Sequence, residues 1–505
     1  MLAFIQFDSP DLARLERLIE EGRLPTLAEL RRRGSWLDLG TPATHLSSAS
    51  YTSLYTGLPP ADHGLHYPFQ WKPEEQRVRY ADAFPHPETT WERASRSGRR
   101  VLIVDPYEAQ PAETVNGLVV SGWQLTNRVV LKPWSAPSRA RRRLTRRFGR
   151  PRAVDEVFGR PSVDWLLKLR GPLLDAPRRL ADVACDALKR ETFDLAWLSF
   201  PCAHLAGHLF WDVSQLEGQH LPPDERRAFE TTLDEVYAAC DAAIADILEV
   251  VPAGADVVAF TPLGMTRNSA LPELMPDMVA AVTGNGAGEA SRTAGSVQSM
   301  AWRLRSLVPT SVRDKAARLL PASAALELTA RLESPKLDWS RTRAFAVPSD
   351  VQGYVRLNLR GRERLGTLDP AEADAVLDEL AAGLLSFHDD DGRQVVDSVL
   401  RACEVAGEGE RADWLPDLVV RWSERPTTGP VRLTSPAFGV AERRGATSGR
   451  SGNHDGSAWA LLVPGRSRER TPDRAPHVVD IAATACSLLG LDNSGLVGQP
   501  LLEAS

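Results

Sequence analysis

The 505-residue chain has little lysine, little cysteine and no long apolar run. Its only lysines are Lys72, Lys132, Lys168, Lys189, Lys315 and Lys336, so its basic side chains are almost all arginine. With a net charge of −6, nothing global attracts nucleic acid or an anionic membrane. The cysteines Cys185, Cys202, Cys240, Cys403 and Cys486 are odd in number, far apart and form no CxxC pair. That excludes a disulfide framework and a cysteine-rich zinc module. Most of them are expected to be small buried apolar residues. No segment approaches the ~20 apolar residues that span a bilayer. The opening Met1–Asp8 carries neither the basic region nor the apolar stretch of a signal peptide. A cytoplasmic protein with no membrane and no nucleic-acid partner is expected.

What is present is an ordinary globular composition on a chain three to four times a common domain length. Residues 2–7 form a short apolar run that ends at Asp8. This reads as a buried strand with a carboxylate at its C-terminal edge, where open α/β sheets gather their chemistry. Helical patterns cover Asp11 to Ile19, the stretch opened by Leu24-Pro25, Arg227–Val250 and Ala371–Phe387. Strand-like runs recur at Val101–Val104, Leu195–Phe200, Val257–Phe260, Leu418–Trp422 and Trp459–Val463. The alternation predicts one α/β domain over 1–505, with a doubly wound, mostly parallel sheet.

Two stretches interrupt the alternation. Residues 127–164 are rich in Arg and Pro, and residues 284–340 begin rich in Gly, Ala and Ser and become helical. Both are expected as insertions over the sheet edge, forming a lid. Residues 139–152 hold eight arginines. They read either as a solvated helix face or as a lid that steers a phosphate or sulfate anion.

The most informative segment runs from Thr41 to Gly64, TPATHLSSASYTSLYTGLPPADHG. A hydroxyl-rich stretch enters a helix, where backbone N–H groups and the helix dipole favour an anion. A serine in such a place is also an ordinary N-cap.

At these residues the chain resembles the alkaline phosphatase superfamily, in its type I phosphodiesterase and phosphomutase-like branch. Asp8, Leu24–Leu27, Gly34, Thr56-Gly57 and Pro60–Gly64 all fit the branch's pattern. So do Phe210-Trp211 after a histidine, residues 352–362 (QGYVRLNLRGR), Trp414–Val420 with its PDLVV, Val479–Thr484 with Leu488–Gly490, and Gly498–Leu501. The resemblance places the nucleophile ten residues before Gly57, at Ser47, with Ser48 as the neighbouring alternative.

The resemblance also implies two metal ions about 3.5–4 Å apart, as in two-metal phosphoryl transfer. One is held by the strand-end Asp, the nucleophile and the Asp-His of an SDHG motif. The other is held by an Asp and a His four apart and by a late His. In this chain the second set reads His204-Leu-Ala-Gly-His208, with the late His at His454. Three imidazoles with an open fourth position suit zinc. The SDHG position reads Thr261-Pro262-Leu263-Gly264, so both ligands of that pair are missing. Asp8 and Ser47 remain there, with Asp455 as a further carboxylate.

The expected protein is therefore a metal-dependent hydrolase or transferase of a small phosphate, phosphodiester or sulfate ester. Ser47 and Asp8 are its candidate catalytic residues. His204, His208, His454 and Asp8 are its candidate ligands, for one divalent metal, zinc. Ser48, Asn268 and Arg450 are candidate substrate contacts. His204 and His208 also read as a polar helix face, His454 as a turn residue, Asp8 as a helix cap, Asn268 as a solvated turn and Arg450 as a loop charge. His63 is expected to be structural. The rival readings are a pseudoenzyme or ligand-binding protein, and a single-metal enzyme with other chemistry on a small metabolite.

Overall fold

The computed structural model describes residues 1–112, 115–127, 129–154, 161–213, 216, 221–284, 321–425, 432–442 and 448–504. At its centre is an eight-stranded sheet. Its order is Ser35–Leu39, Ala458–Val463, Asp256–Thr261, Leu2–Gln6, Leu195–Ser199, Val101–Val104, Gly117–Ser121 and Trp134–Ala136. The strands from Asp256–Thr261 to Gly117–Ser121 are mutually parallel. Leu2–Gln6 lies between Asp256–Thr261 and Leu195–Ser199, with Ala3 opposite both Val257 and Ala196. Its five residues are all buried. Helices cover both faces of such a sheet, so its strands are continuous apolar runs rather than alternating ones.

The parallel register sends the C-terminal ends of four strands to one edge. Asp8 follows the first, the helix Pro201–Phe210 follows Leu195–Ser199, Asp105 to Glu108 follow Val101–Val104, and Pro262-Leu263 follow Asp256–Thr261. The doubly wound sheet expected from the sequence is thus present, and the C-terminal edge of its parallel strands carries Asp8, His204 and His208.

Two strand expectations change their setting. Ala458–Val463 joins the central sheet antiparallel to Asp256–Thr261. Leu418–Trp422 belongs to a separate four-stranded antiparallel sheet, in the order Ala344–Val347, Gly353–Leu357, Leu418–Trp422 and Val396–Arg401. That small sheet is packed on both sides. Val355 and Val420 enter a core with Met278, Leu380 and Phe387, and Tyr354 and Val419 enter another with Trp71 and Phe345. A short run that is apolar on both faces looks the same in either sheet, which is why composition alone did not separate them.

The segment 352–362 earns its arginines structurally. Arg356, 1% exposed at its side chain, donates to Glu363 Oε1 from Nη2 at 2.6 Å and from Nε at 3.0 Å. Trp71 Nε1 donates to the other Glu363 oxygen at 2.7 Å. Arg362 forks onto Asp417 through two bonds of 2.7 Å. A buried charge tolerates its site only when it is paired and hydrogen-bonded in this way.

Of the first expected insertion, Trp134–Ala136 is the outermost strand of the central sheet. Ala140–Phe148 is a helix with Ala140 and Leu144 turned inward. Arg139, Arg142, Arg143 and Arg146 are exposed, whereas Arg141 caps the carbonyls of Ser121 and Gly122. Residues 155–160 lie outside the described residues. So do residues 285–320 of the second insertion. Its helix Ala322–Glu333 packs Leu326 and Ala330 into the core that holds Trp71 and Val78.

Candidate functional site

The helix Pro201–Phe210 starts directly off its strand, with Pro at its first position, where the missing N–H costs no hydrogen bond. Spacing of four puts His204 and His208 on one helix face. The third histidine arrives on the strand Gly452–Asp455, which pairs antiparallel with Gly264–Arg267 so that His454 lies opposite Met265. Helix and strand touch backbone to backbone. A Cβ on Gly452 would lie 2.4 Å from Gly207 O, so only glycine permits this approach.

The result is a three-imidazole cluster. One ligand nitrogen from each of His204, His208 and His454 lies within 4.8 Å of the others. The ring centroids are 4.6–4.7 Å apart. His208 Nδ1 is 2.9 Å from Gly452 O and His454 Nδ1 is 3.3 Å from Gly264 O. A carbonyl only accepts, so both Nδ1 atoms donate and both Nε2 atoms present lone pairs. Burial, helped by the nearby Arg450 guanidinium, pushes the pKa of His208 well below the ordinary 6.5. Burial does the same to His454, with His204 as the next cause. Neutral imidazole is the ligand form.

His204 is backed by a different set. Its Nδ1 lies 3.0 Å from Tyr51 Oη, 3.1 Å from Ser9 Oγ and 3.4 Å from Asp8 Oδ2. Tyr51 donates its own proton to Asp8 Oδ1 at 2.8 Å, which leaves its oxygen to accept from His204. Asp8 is fully buried, and Oδ2 makes no hydrogen bond of its own. A carboxylate behind an imidazole fixes the ring and its tautomer. On the other side, His204 Nε2 is 3.0 Å from His208 Nε2. Two nitrogens so close are satisfied only by a proton on one of them or by a cation between them. The donor set therefore fits one cation.

It does not fit two. Where the resemblance implies the Asp-His pair, Pro262 O accepts from Thr41 Oγ1 at 2.6 Å and Leu263 O accepts from Thr261 Oγ1 at 2.7 Å. Leu263 is fully buried in the main core. Asp455, the other carboxylate considered, caps the backbone of Ser457 at 2.9 Å.

The hydroxyl segment enters the helix Ala49–Thr56, with Ser48 at the N-cap position. Ser47 is 3% exposed, and one turn later Tyr51 reaches Asp8 and His204. The preceding loop is pinned by Gln352 Nε2 on Ala43 O at 3.0 Å and by Tyr354 Oη on His45 O at 3.3 Å. Ser48 Oγ donates to Glu108 Oε1 at 3.3 Å. Both line a cleft of about 1000 Å³ whose lining also includes Tyr51, Tyr55, His66 and Tyr80.

The two remaining sequence candidates are held by protein groups. Asn268 donates to Arg450 O at 3.0 Å and accepts from Asn453 at 3.1 Å, clamping the loop before His454. Arg450 Nη1 is bonded to Asp350 Oδ2 at 2.9 Å, and its charge reaches His208 and His454. Sequence reasoning missed Tyr51, Tyr107 and Ser9. The one signal for Tyr51 was its place four residues after Ser47, in the first turn of the helix Ala49–Thr56. Tyr107 had one in its place, just past a strand end.

His63 has the structural role expected of it. Leu65 N–H donates to its Nδ1 and its Nε2 meets Ser53 Oγ, both at 3.0 Å. Burial lowers His63 and His66 to about 3 each. Their unfolded forms take a proton near pH 6.5, whereas the folded forms resist until about 3. The stability is complete above 6.5 and is lost as pH falls toward 3, at about 1.4 kcal/mol per pH unit for each group. His208 and His454 act in the same direction. Urea midpoints of chelator-treated protein at pH 7, 6 and 5 should fall steadily; a flat series would contradict neutral buried histidines.

Comparison with known proteins gives the chain its relatives. Residues 2–426 match the family model described as type I phosphodiesterase / nucleotide pyrophosphatase. A search of curated proteins found no match. Among solved structures, phosphonoacetate hydrolase from Sinorhizobium meliloti 1021 in complex with phosphonoacetate aligns with a TM-score of 0.50 at 13% identity. That alignment covers 97% of this chain and 96% of the other. Murine ectonucleotide pyrophosphatase / phosphodiesterase 5, in an inactive form in complex with AMP, aligns at 0.49 and 11% identity, with 99% of each chain covered. At 13% identity the likeness to the phosphonoacetate hydrolase is one of fold. No helix among the described residues is long and apolar enough to cross a membrane.

Proposed function

The chain belongs to the type I phosphodiesterase / nucleotide pyrophosphatase family, and from that premise we propose that it is a single-metal phosphoric-ester hydrolase or transferase. His204, His208 and His454 hold one divalent ion, zinc by the chemistry of the donors. Bound there, the ion supplies Lewis-acid stabilisation of charge on the transferred group. The observation that carries this reading is the pair of Nε2 atoms 3.0 Å apart, each backed on its far side by its own partner.

The other roles belong to the protein. Ser47, at the mouth of the Ala49–Thr56 helix, is the nucleophile and is transiently esterified. Asp8 fixes His204 rather than binding a second ion. The cleft beside Ser48 receives the leaving group, and its tyrosines suit an aromatic or otherwise flat one. Ser48 shapes the cleft wall, and Asn268 and Arg450 hold the loop that carries His454. The described arginines of 139–147 contribute long-range attraction for an anionic ester. A second reading, a ligand-binding pseudoenzyme, is favoured by one observation, the replacement of the Asp-His pair by Pro262 and Leu263.

The test is a panel of aryl phosphate monoester, phosphodiester and sulfate ester, each assayed with added zinc and with chelator. Turnover of a phosphate ester that chelator removes is the expected result. Preference for the sulfate would move the substrate class. No turnover of any ester by zinc-loaded protein would establish the pseudoenzyme.

A further inference from the structure

We infer that Tyr107 is a fourth donor to the ion at the three-histidine cluster, its phenolic oxygen joining the three nitrogens and leaving a fifth position for the ester. The inference rests on the metal reading above and goes beyond it, since nothing in the sequence pattern assigned Tyr107 a role.

The geometry is specific. Tyr107 Oη lies 3.1 Å from His204 Nε2, and His208 Nε2 lies 3.0 Å from the same atom. Donor atoms bound tetrahedrally at 2.0–2.1 Å are separated by about 3.3 Å along each edge of the tetrahedron. The phenol oxygen and the His208 nitrogen are therefore spaced from His204 Nε2 as co-ligands are. Tyr51, by contrast, sits on the Nδ1 side of His204 and is bonded to Asp8. It is turned away from the ligand nitrogens.

The loop that carries Tyr107 is built to hold it there. Asp105 and Glu108, on either side, have φ of 54° and 57°. Non-glycine residues occupy this left-handed region only where the surroundings enforce it. Asp105 is fixed by Trp123 N at 2.6 Å, Gln124 N at 2.7 Å and Gln124 Nε2 at 3.1 Å. Tyr107 is 6% exposed, and its ring centroid is 4.2 Å from that of His204. The site would thus present three nitrogens and one oxygen. On coordination the phenol O–H bond breaks, an oxygen–metal bond forms and the proton passes to solvent.

Copper(II) is the probe, because it binds nitrogen and oxygen sites most tightly among the first-row divalent ions and reports a phenolate ligand by charge-transfer absorption. Wild-type protein loaded with one equivalent should show that band together with nitrogen hyperfine coupling in its EPR spectrum. Tyr107→Phe should keep the copper and the nitrogen coupling and lose the band. Its zinc affinity should fall by at least the roughly 10–100-fold typical of losing an outer-shell partner. Tyr51→Phe should keep the band. A copper-loaded wild type with nitrogen coupling but no phenolate band would overturn this inference and leave the three-histidine site standing. A band that survives in Tyr107→Phe would overturn it as well. Protein that binds no copper would overturn both. A wild-type spectrum without the band overturns the inference whatever the variants do, and the Tyr51→Phe and Tyr107→Phe spectra assign a band that is present.

Discussion

Purified without chelator and dialysed, the protein is expected to retain about one zinc ion per chain, and His208→Ala to retain none. The expectation follows from the donor inventory. Three imidazoles converge with their Nδ1 atoms occupied and two of their Nε2 atoms 3.0 Å apart. A catalytic zinc takes about three protein ligands, and truncating His208 leaves two imidazoles beside the Tyr107 phenol, which binds only after giving up its proton. Asp8→Asn is the informative contrast. Asp8 touches His204 and Tyr51 but sits behind the cluster, so its amide variant should bind zinc roughly 10–100-fold more weakly without abolishing binding. Elemental analysis after dialysis and competition with a chromogenic chelator measure both effects. Two tightly held equivalents would show that ligands other than the missing Asp-His pair complete a second site. A metal-free wild type would mean that a proton, not a cation, joins His204 to His208.

Ser47→Ala should lower turnover of a phosphate ester by at least about 10³-fold with little change in KM, because removing a nucleophile removes an interaction made only on the way to the transition state. Ser48→Ala should stay within about tenfold, since the Ser48 hydroxyl is already bonded to Glu108 on the cleft wall. Intact-mass measurement of protein quenched during turnover should show one added phosphoryl-bearing group in wild type and none in Ser47→Ala. If Ser48→Ala is the dead variant and Ser47→Ala the active one, the nucleophile has been placed one residue too early. If both remain active while His208→Ala does not, the hydroxyl acts only as a helix cap and the attacking group comes from elsewhere.

Much of this was legible before any coordinates. Asp8 is visible because an apolar run stops at a carboxylate, and parallel strands bring such stops to one edge. His204 and His208 are visible because a spacing of four is a helix face. His454 is visible only through its place in a family pattern, since nothing local in Gly452–Asp455 marks a ligand. What could not be read was which side of each imidazole faces what. Gly264 O and Gly452 O orient two of the rings, and backbone carbonyls leave no trace in a sequence. Asp8 illustrates the same limit. Its position suggested a ligand, but Tyr51 and His204 meet it first, and Tyr51 is hidden in sequence as one more aromatic on a buried helix.

Asn268 and Arg450 stood out in the sequence as candidate substrate contacts, but the groups that hold them did not. Both are polar residues near the site in sequence, but one clamps Asn453 and Arg450 O while the other pairs with Asp350. Their partners lie 182, 185 and 100 residues away, a distance only the folded chain closes.

The sequence by itself determined the layered α/β architecture, because buried parallel strands require unbroken apolar runs and helices require their own period, and both are local properties. It also determined that the positions where the resemblance implies an Asp-His pair offer no side-chain donor, because Pro262 and Leu263 carry none whatever their surroundings. Only the tertiary structure decided that Leu418–Trp422 serves a separate antiparallel sheet, that Asp8 stands behind a histidine, and that Tyr107 comes within 3.1 Å of a ligand nitrogen. Those outcomes depend on contacts between segments far apart in the chain, and on side-chain directions fixed when the layers pack. No property of a single segment encodes either.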